Sequence, residues 1–212
     1  MNTIEVEHIL LYTPMCTFNL DIDIDEMVNH CLNMSKEKNN RVKSNFGGWQ
    51  SRDILPNEDS LLDQIFKNNI DNIMQDYCDN FGIKGKTFLT NYWINVNNKH
   101  HFNRSHVHPF SFFSGVFYLK VNEDSGNIVF ENSDALLIEA YAKTCPNGDK
   151  FEQWIDKTNP MAHFLFHTYS IPCKSKLGII FPAWEKHSVF PNMSDEPRIS
   201  ISFNYKVNFG EN

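Results

Sequence analysis

The sequence predicts a mainly β fold, closed as a sandwich or barrel, with two helices packed on it near the N-terminus. Three observations carry this. Apolar residues recur at helical spacing only in the first 85 positions. After Gly85 they alternate with period two over several long segments. Those segments are separated by turn residues rather than by further helical stripes, which is the pattern of a multi-stranded β domain.

In chain order, Ile4, Val6, His8, Leu10 and Tyr12 alternate loosely and predict a strand over 4–12. Ile24, Met27, Val28, Cys31 and Leu32 predict an amphipathic helix over about 23–37. SNFGGWQS, 44–51, reads as a glycine-containing turn around Trp49. A stripe from Leu61 through Ile65, Phe66, Ile70 and Met74 to Tyr77 predicts a second helix over about 58–81. Asn57 or Asp59 would cap it and Gly82 would end it. In 86–96, Phe88, Thr90, Tyr92, Ile94 and Val96 should face one way and Leu89, Asn91, Trp93 and Asn95 the other. SGVFYLKV, 114–121, suits a central strand, and EDSGN followed by NIVFEN suggests a hairpin with it. Residues 133–172 are the least regular stretch, a mixed loop with a short helix. LGIIFP, HSVFP and RISISFNYKV complete the strands. In the last, Arg198, Ser200, Ser202 and Asn204 share one face, turned either to solvent or into a site. No repeat or linker interrupts the chain. One domain over 1–212 is expected, with a strand and helical support layer to 85 and a β core over 86–207.

The 212 residues are 41% hydrophobic and 14% aromatic, enough for one sizeable core. A net charge of −7 without a basic run disfavours nucleic acid as a partner. The five cysteines are odd in number and form no C-x-x-C, which argues against a disulfide framework or a cysteine zinc site and for a reducing compartment. MNTIEVEHILLYTP lacks a basic leader, and no apolar run nears the roughly 18 residues of a membrane span. A cytoplasmic protein without membrane attachment is expected. Self-association is left open.

The chemistry-bearing pattern is His106-x-His108, then a distant His187, then Arg198. Ligands at i and i+2 of an extended segment project to one side, and Pro109 favours that conformation at His108. A non-haem iron oxygenase holds its metal on one face with two histidines and a carboxylate, leaving positions open. Here histidine stands where the carboxylate is expected. Three neutral imidazoles would still hold Fe(II). The alternative is one histidine of the pair with His187 and a carboxylate such as Glu131. Arg198 with Ser200 on the same strand face suits an acidic co-substrate, since a guanidinium fork takes a carboxylate bidentately. Tyr118 and Asn95 are candidates to line the pocket, and Trp49, Trp93 and Trp184 to wall it or fill the core. His163 and His167, at i and i+4, lack the glutamate of a metalloprotease helix.

WINVNNKHHFNRSHVHPFSFFSGVFYLK, SGNIVFEN, LGIIFPAWEKHSVFPN and PRISISFN closely resemble the 2-oxoglutarate/Fe(II)-dependent oxygenases of marine bacteria and cyanophages, distant relatives of the prolyl-4-hydroxylase-like oxygenases. GGWQS fits as well; the match covers about 44–55 and 88–206, and is poor over 133–172. The resemblance implies a double-stranded β-helix, the cupin-like jelly-roll, with flanking helices. It implies iron at His106, His108 and His187, and 2-oxoglutarate held by Arg198 with help from Ser200. The expected reaction couples oxidative decarboxylation of 2-oxoglutarate by O2 to hydroxylation. For a phage-borne copy the compartment would be the host cytoplasm. The primary substrate does not follow. Two rival readings remain: a three-histidine dioxygenase that uses no 2-oxoglutarate, and a non-catalytic jelly-roll binding or virion protein.

Overall fold

The computed structural model describes residues 13, 15–37, 40–156, 158, 165 and 167–210. The strand expected over 4–12 and His163 lie outside them.

Eleven strands form two antiparallel sheets among these residues. They are β1 (Cys16–Asn19), β2 (Asn45–Phe46), β3 (Trp49–Gln50), β4 (Lys86–Asn97), β5 (Phe102–His106), β6 (Phe113–Lys120), β7 (Ile128–Glu131), β8 (Thr168–Ile171), β9 (Leu177–Pro182), β10 (His187–Val189) and β11 (Arg198–Asn208). The larger sheet runs β1-β9-β6-β11-β4-β3 and the smaller β2-β5-β10-β7-β8. Two sheets fed alternately by one chain make a jelly-roll, the double-stranded β-helix. Strand β6 does not form the expected hairpin with the segment after EDSGN. The 121–127 connection instead carries the chain across to the smaller sheet, where β7 pairs β10 and β8. Alternation reports which face a residue takes, not which strand it pairs with.

Helix α1 (Asp25–Met34) carries the first predicted stripe. The second starts later than expected, as α2 (Asp63–Ile65), passes through a π-helical turn (Phe66–Ile70) and continues as α3 (Asp71–Asn80). Asp59 accepts the Leu62 N–H through its side chain, and Gly82, at φ +72°, ends the run. Both helical stripes cover the outer face of the larger sheet. Leu62, Phe66, Ile70 and Met74 meet Tyr92, Ile94, Ile201, Phe203 and Tyr205 in one core. Two tyrosines pin helix to sheet, Tyr92 donating to buried Asp63 (2.9 Å) and Tyr205 to Asp71. Apolar side chains of β6, β7 and β9, including Val116, Phe130 and Phe181, form a second cluster between the sheets.

The expected faces of β4 hold from Asn91 onward and reverse at Leu89 and Phe88. Asn204 pairs Asn91 and Tyr205 pairs Leu89, so Thr90 is an extra residue in the ladder. This bulge turns Leu89 toward the core and leaves Phe88 47% exposed. Trp49 packs against the core and Trp93 walls the site cavity, whereas Trp184 is 58% exposed and does neither. The irregular 133–172 stretch holds α4 (Ala135–Lys143), a 3-10 turn (Gly148–Trp154) and β8. Among the described residues no helix is long and apolar enough to cross a membrane.

Candidate metal centre and co-substrate cavity

The polar face of β11 looks inward, between the sheets. Arg198 and Ser200 are buried, and with Ser202 they line one cavity together with Asn95, Trp93, Tyr118, His106, His108 and His187. Counted out into open solvent, the space between these side chains is about 460 Å³, of which about 30 Å³ has room for the centre of a water molecule. Among the described residues no carboxylate lines it.

The three predicted histidines meet there. His106 ends β5 and pairs His187 at the start of β10. His108 follows two residues beyond the strand, its backbone N–H held by the Ala183 carbonyl. One ligand atom from each of the three rings lies within 4.8 Å of the others. A shift of register between His187 and Val189 turns both Asn103 and His106 toward the cavity.

Each ring is oriented by an oxygen behind it. His106 Nδ1 faces the Arg104 carbonyl at 2.7 Å, His187 Nδ1 the Glu185 carbonyl at 2.9 Å, and His108 Nδ1 the Asn204 Oδ1 at 2.8 Å. A carbonyl oxygen only accepts, so each Nδ1 carries the hydrogen and each Nε2 is a bare lone pair. Burial pushes all three below the usual histidine range, His108 to about 4 and His187 well below its ordinary value, with neighbouring rings adding to the effect for both. The cluster is therefore neutral, the form that ligates.

His108 Nε2 and His187 Nε2 face each other at 3.3 Å. Two lone pairs that close repel unless a cation lies between them. About 3 Å is also the separation of two imidazole nitrogens bonded at ~2.1 Å to one first-row metal. The residues present thus fit a metal ion. Glu131, the alternative carboxylate, is held by the Ser105 hydroxyl and by Lys186 (2.7 Å), and is not one of the clustered groups.

Arg198 does not pair with either neighbouring acid. Asp195 bonds Lys99 and Glu196 bonds Lys120. Its Nη1 donates instead to the backbone carbonyls of Ser125 and Phe190. That clamp needs Gly126: its φ is +82°, and a Cβ would sit 2.3 Å from the Phe190 carbonyl oxygen. The other arm, Nη2, is buried without a partner. So is Asn95 Oδ1, and the buried Tyr118 hydroxyl has only the weakly bonding Cys173 thiol beside it. Native interiors seldom leave such atoms unpaired, and two around one cavity mark a place for a polar ligand. Tyr118 stays protonated, since burial raises its pKa well above the ordinary value.

The structure brings together every expected site residue: His106, His108, His187, Arg198, Ser200, Tyr118 and Asn95. Asn204 contacts His108 although it was placed only on a strand face, and its position on the inward face was the one available signal. Cys173, beside Tyr118 and Arg198, gave none.

Similar proteins bear on this geometry. Residues 91–204, more than half of the chain, match the family described as "Putative 2OG-Fe(II) oxygenase". Among solved structures, the chain resembles a prolyl-4-hydroxylase from Pseudomonas putida at 13% identity, covering 92% of both chains with a TM-score of 0.60. It also resembles a prolyl hydroxylase from Trichoplax adhaerens at 12% identity, covering 91% of this chain and 83% of that one, TM-score 0.58. A third is the viral collagen prolyl hydroxylase of Paramecium Bursaria Chlorella virus-1, at 12% identity, 90% and 94% coverage and a TM-score of 0.54. At such identities the likeness shows the fold. No curated protein sequence matches significantly. The match over 91–204 takes in all three histidines and Arg198, and by it this chain belongs to the 2OG-Fe(II) oxygenase family, dioxygenases that use Fe(II) and 2-oxoglutarate.

Proposed function

We propose that this dioxygenase is a hydroxylase, with His106, His108 and His187 as the iron ligands and Arg198 as the anchor of the distal carboxylate of 2-oxoglutarate. One observation carries the reading. Three bared Nε2 atoms and one unpaired guanidinium arm open onto the same carboxylate-free cavity. Bound iron supplies the oxygen-activating redox chemistry that no side chain here could provide.

The chain's own groups do the rest. Arg198 Nη2, fixed by the grip of Nη1 on the loop carbonyls, offers a charge-assisted hydrogen bond at the cavity floor. Tyr118 and Ser200 offer hydroxyls beside it, and Asn95 a further polar contact. Three neutral ligands leave the site without a protein anion, so the two charges of 2-oxoglutarate balance it. Phe181 and Phe130 stand against His187, with ring centroids at 4.6 and 5.7 Å, and keep water from that side. The 132–167 segment leaves the sheet after Glu131 and returns at Thr168, beside the strand that pairs His187. The Trichoplax neighbour holds a peptide fragment, and a peptide or small molecule is the class of substrate we infer.

Anaerobic Fe(II) titration of the metal-free protein tests the site. One equivalent should bind, and His106→Ala and His187→Ala should each abolish binding. Oxygen-dependent succinate formation should follow when 2-oxoglutarate is added. Iron binding without succinate would favour the three-histidine dioxygenase. No iron binding would favour the non-catalytic protein.

A further inference from the structure

We infer that Asn204 is the positioning residue that makes His108 a ligand. This rests on the iron-ligand reading above. His106 and His187 are oriented by backbone carbonyls, which no substitution removes. His108 lies past the end of β5 and takes its orienting oxygen from a side chain. It is also the histidine that stands where a carboxylate is expected.

The amide is held so that its oxygen, not its nitrogen, meets the ring. Asn204 Oδ1 accepts from Ser114 Oγ at 2.8 Å as well as from His108. Asn204 Nδ2 points the other way and donates to Asn91 Oδ1 at 3.3 Å. The Thr90 hydroxyl, 3.1 Å from that same Asn91 oxygen, has one hydrogen to share between it and the Asn204 backbone carbonyl at 3.0 Å. Asn91 stands opposite Asn204 in the regular register that runs down from Asn97 and Arg198, just before the bulge at Thr90. A turned-over Asn204 would set its oxygen against Asn91 Oδ1, leave the Ser114 hydroxyl to accept rather than donate, and present N–H to His108 Nδ1. The ring would then carry its hydrogen on Nε2 and could not bind a metal there. Strand β4 thus reaches His108 through two amides, Asn91 and Asn204.

The test uses metal-free protein with Co(II) as a spectroscopic probe, and Fe(II) under anaerobic conditions. Asn204→Leu, similar in volume but without the acceptor, should weaken both metals by about 10–100-fold, as for other outer partners of ligating histidines. It should also change the Co(II) d–d bands. Asn204→Asp keeps an oxygen toward His108, and the Asn91 amide can turn to serve it. It should bind within about threefold of the parent protein with the parent spectrum. Melting curves of the metal-free variants report folding. If Asn204→Leu does not fold, Asn91→Ala, which frees the amide without removing it, should shift the bands and affinity in the same direction. A folded Asn204→Leu with parent affinity and spectrum overturns the inference, as does an Asn204→Asp variant as impaired as the leucine. If the parent protein itself takes up no metal, the iron reading fails and this one with it.

Discussion

Arg198 shows how a buried charge becomes a binding group. The residue is 1% exposed and carries no ion pair among the described residues. Isolated burial of a charge is costly, and here backbone carbonyls offset part of that cost on one arm only. The second arm is left to an anion. Arg198→Ala should therefore lower 2-oxoglutarate affinity by about 1.5–3 kcal/mol, the scale of a lost charge-assisted contact. Iron affinity should be largely kept, because no histidine depends on the arginine. Calorimetric titration of 2-oxoglutarate into the Fe(II)-loaded variant under nitrogen reads this directly. Unchanged affinity would remove Arg198 from the site. This residue was legible from sequence because R-x-S on an alternating strand puts both groups on one face. Its orphaned arm was not, since that depends on where the 125–126 and 190 carbonyls lie.

At the scale of elements, the larger sheet works because each face has a separate task. Along β11, Ile199, Ile201, Phe203 and Tyr205 enter the core under the helices, while Arg198, Ser200 and Ser202 enter the cavity. Period-two alternation exposed that division directly. It failed where the ladder gains a residue, at Thr90, because a bulge inverts the faces without changing the composition. It failed again for β6 and β7, whose turn signal was real but joins two sheets. The close fit of the sheet shows at Gly115 on β6, over which Phe203 lies. A Cβ there would stand 2.4 Å from the Phe203 ring and 2.6 Å from the Ile179 carbonyl oxygen. The backbone oxygen of a central strand has little room to move, so the ring must shift. Gly115→Ala should cost about 1–3 kcal/mol, typical of overpacking, seen as a fall of roughly 3–10 °C in Tm for a chain of this size. Adding Phe203→Leu should recover part of the loss. Additive losses in the double variant would show that the ring is not the obstacle.

Across the whole molecule, the groups proposed to hold the metal and the co-substrate belong to different sheets. His106 and His187 sit on β5 and β10 of the smaller sheet, whereas Arg198, Ser200, Tyr118 and Asn95 sit on the larger. A molecule that contacts both the metal and Arg198 must bridge the two. Its binding then depends on the metal and, by linkage, the metal's binding depends on it to the same degree. The prediction is a synergy in thermal stability, measured anaerobically at fixed ligand concentrations. A ligand at 100 times its Kd stabilises by about 2.7 kcal/mol. Because each ligand tightens the other's binding, Fe(II) and 2-oxoglutarate together should raise Tm by more than the sum of their separate shifts. His187→Ala should abolish the excess by removing the metal's share. Arg198→Ala should shrink it from the opposite sheet, although it leaves the metal ligands intact. Strictly additive shifts in the parent protein would mean that the two ligands do not meet in the cavity, and 2-oxoglutarate would then lose its place as the bridge between the sheets.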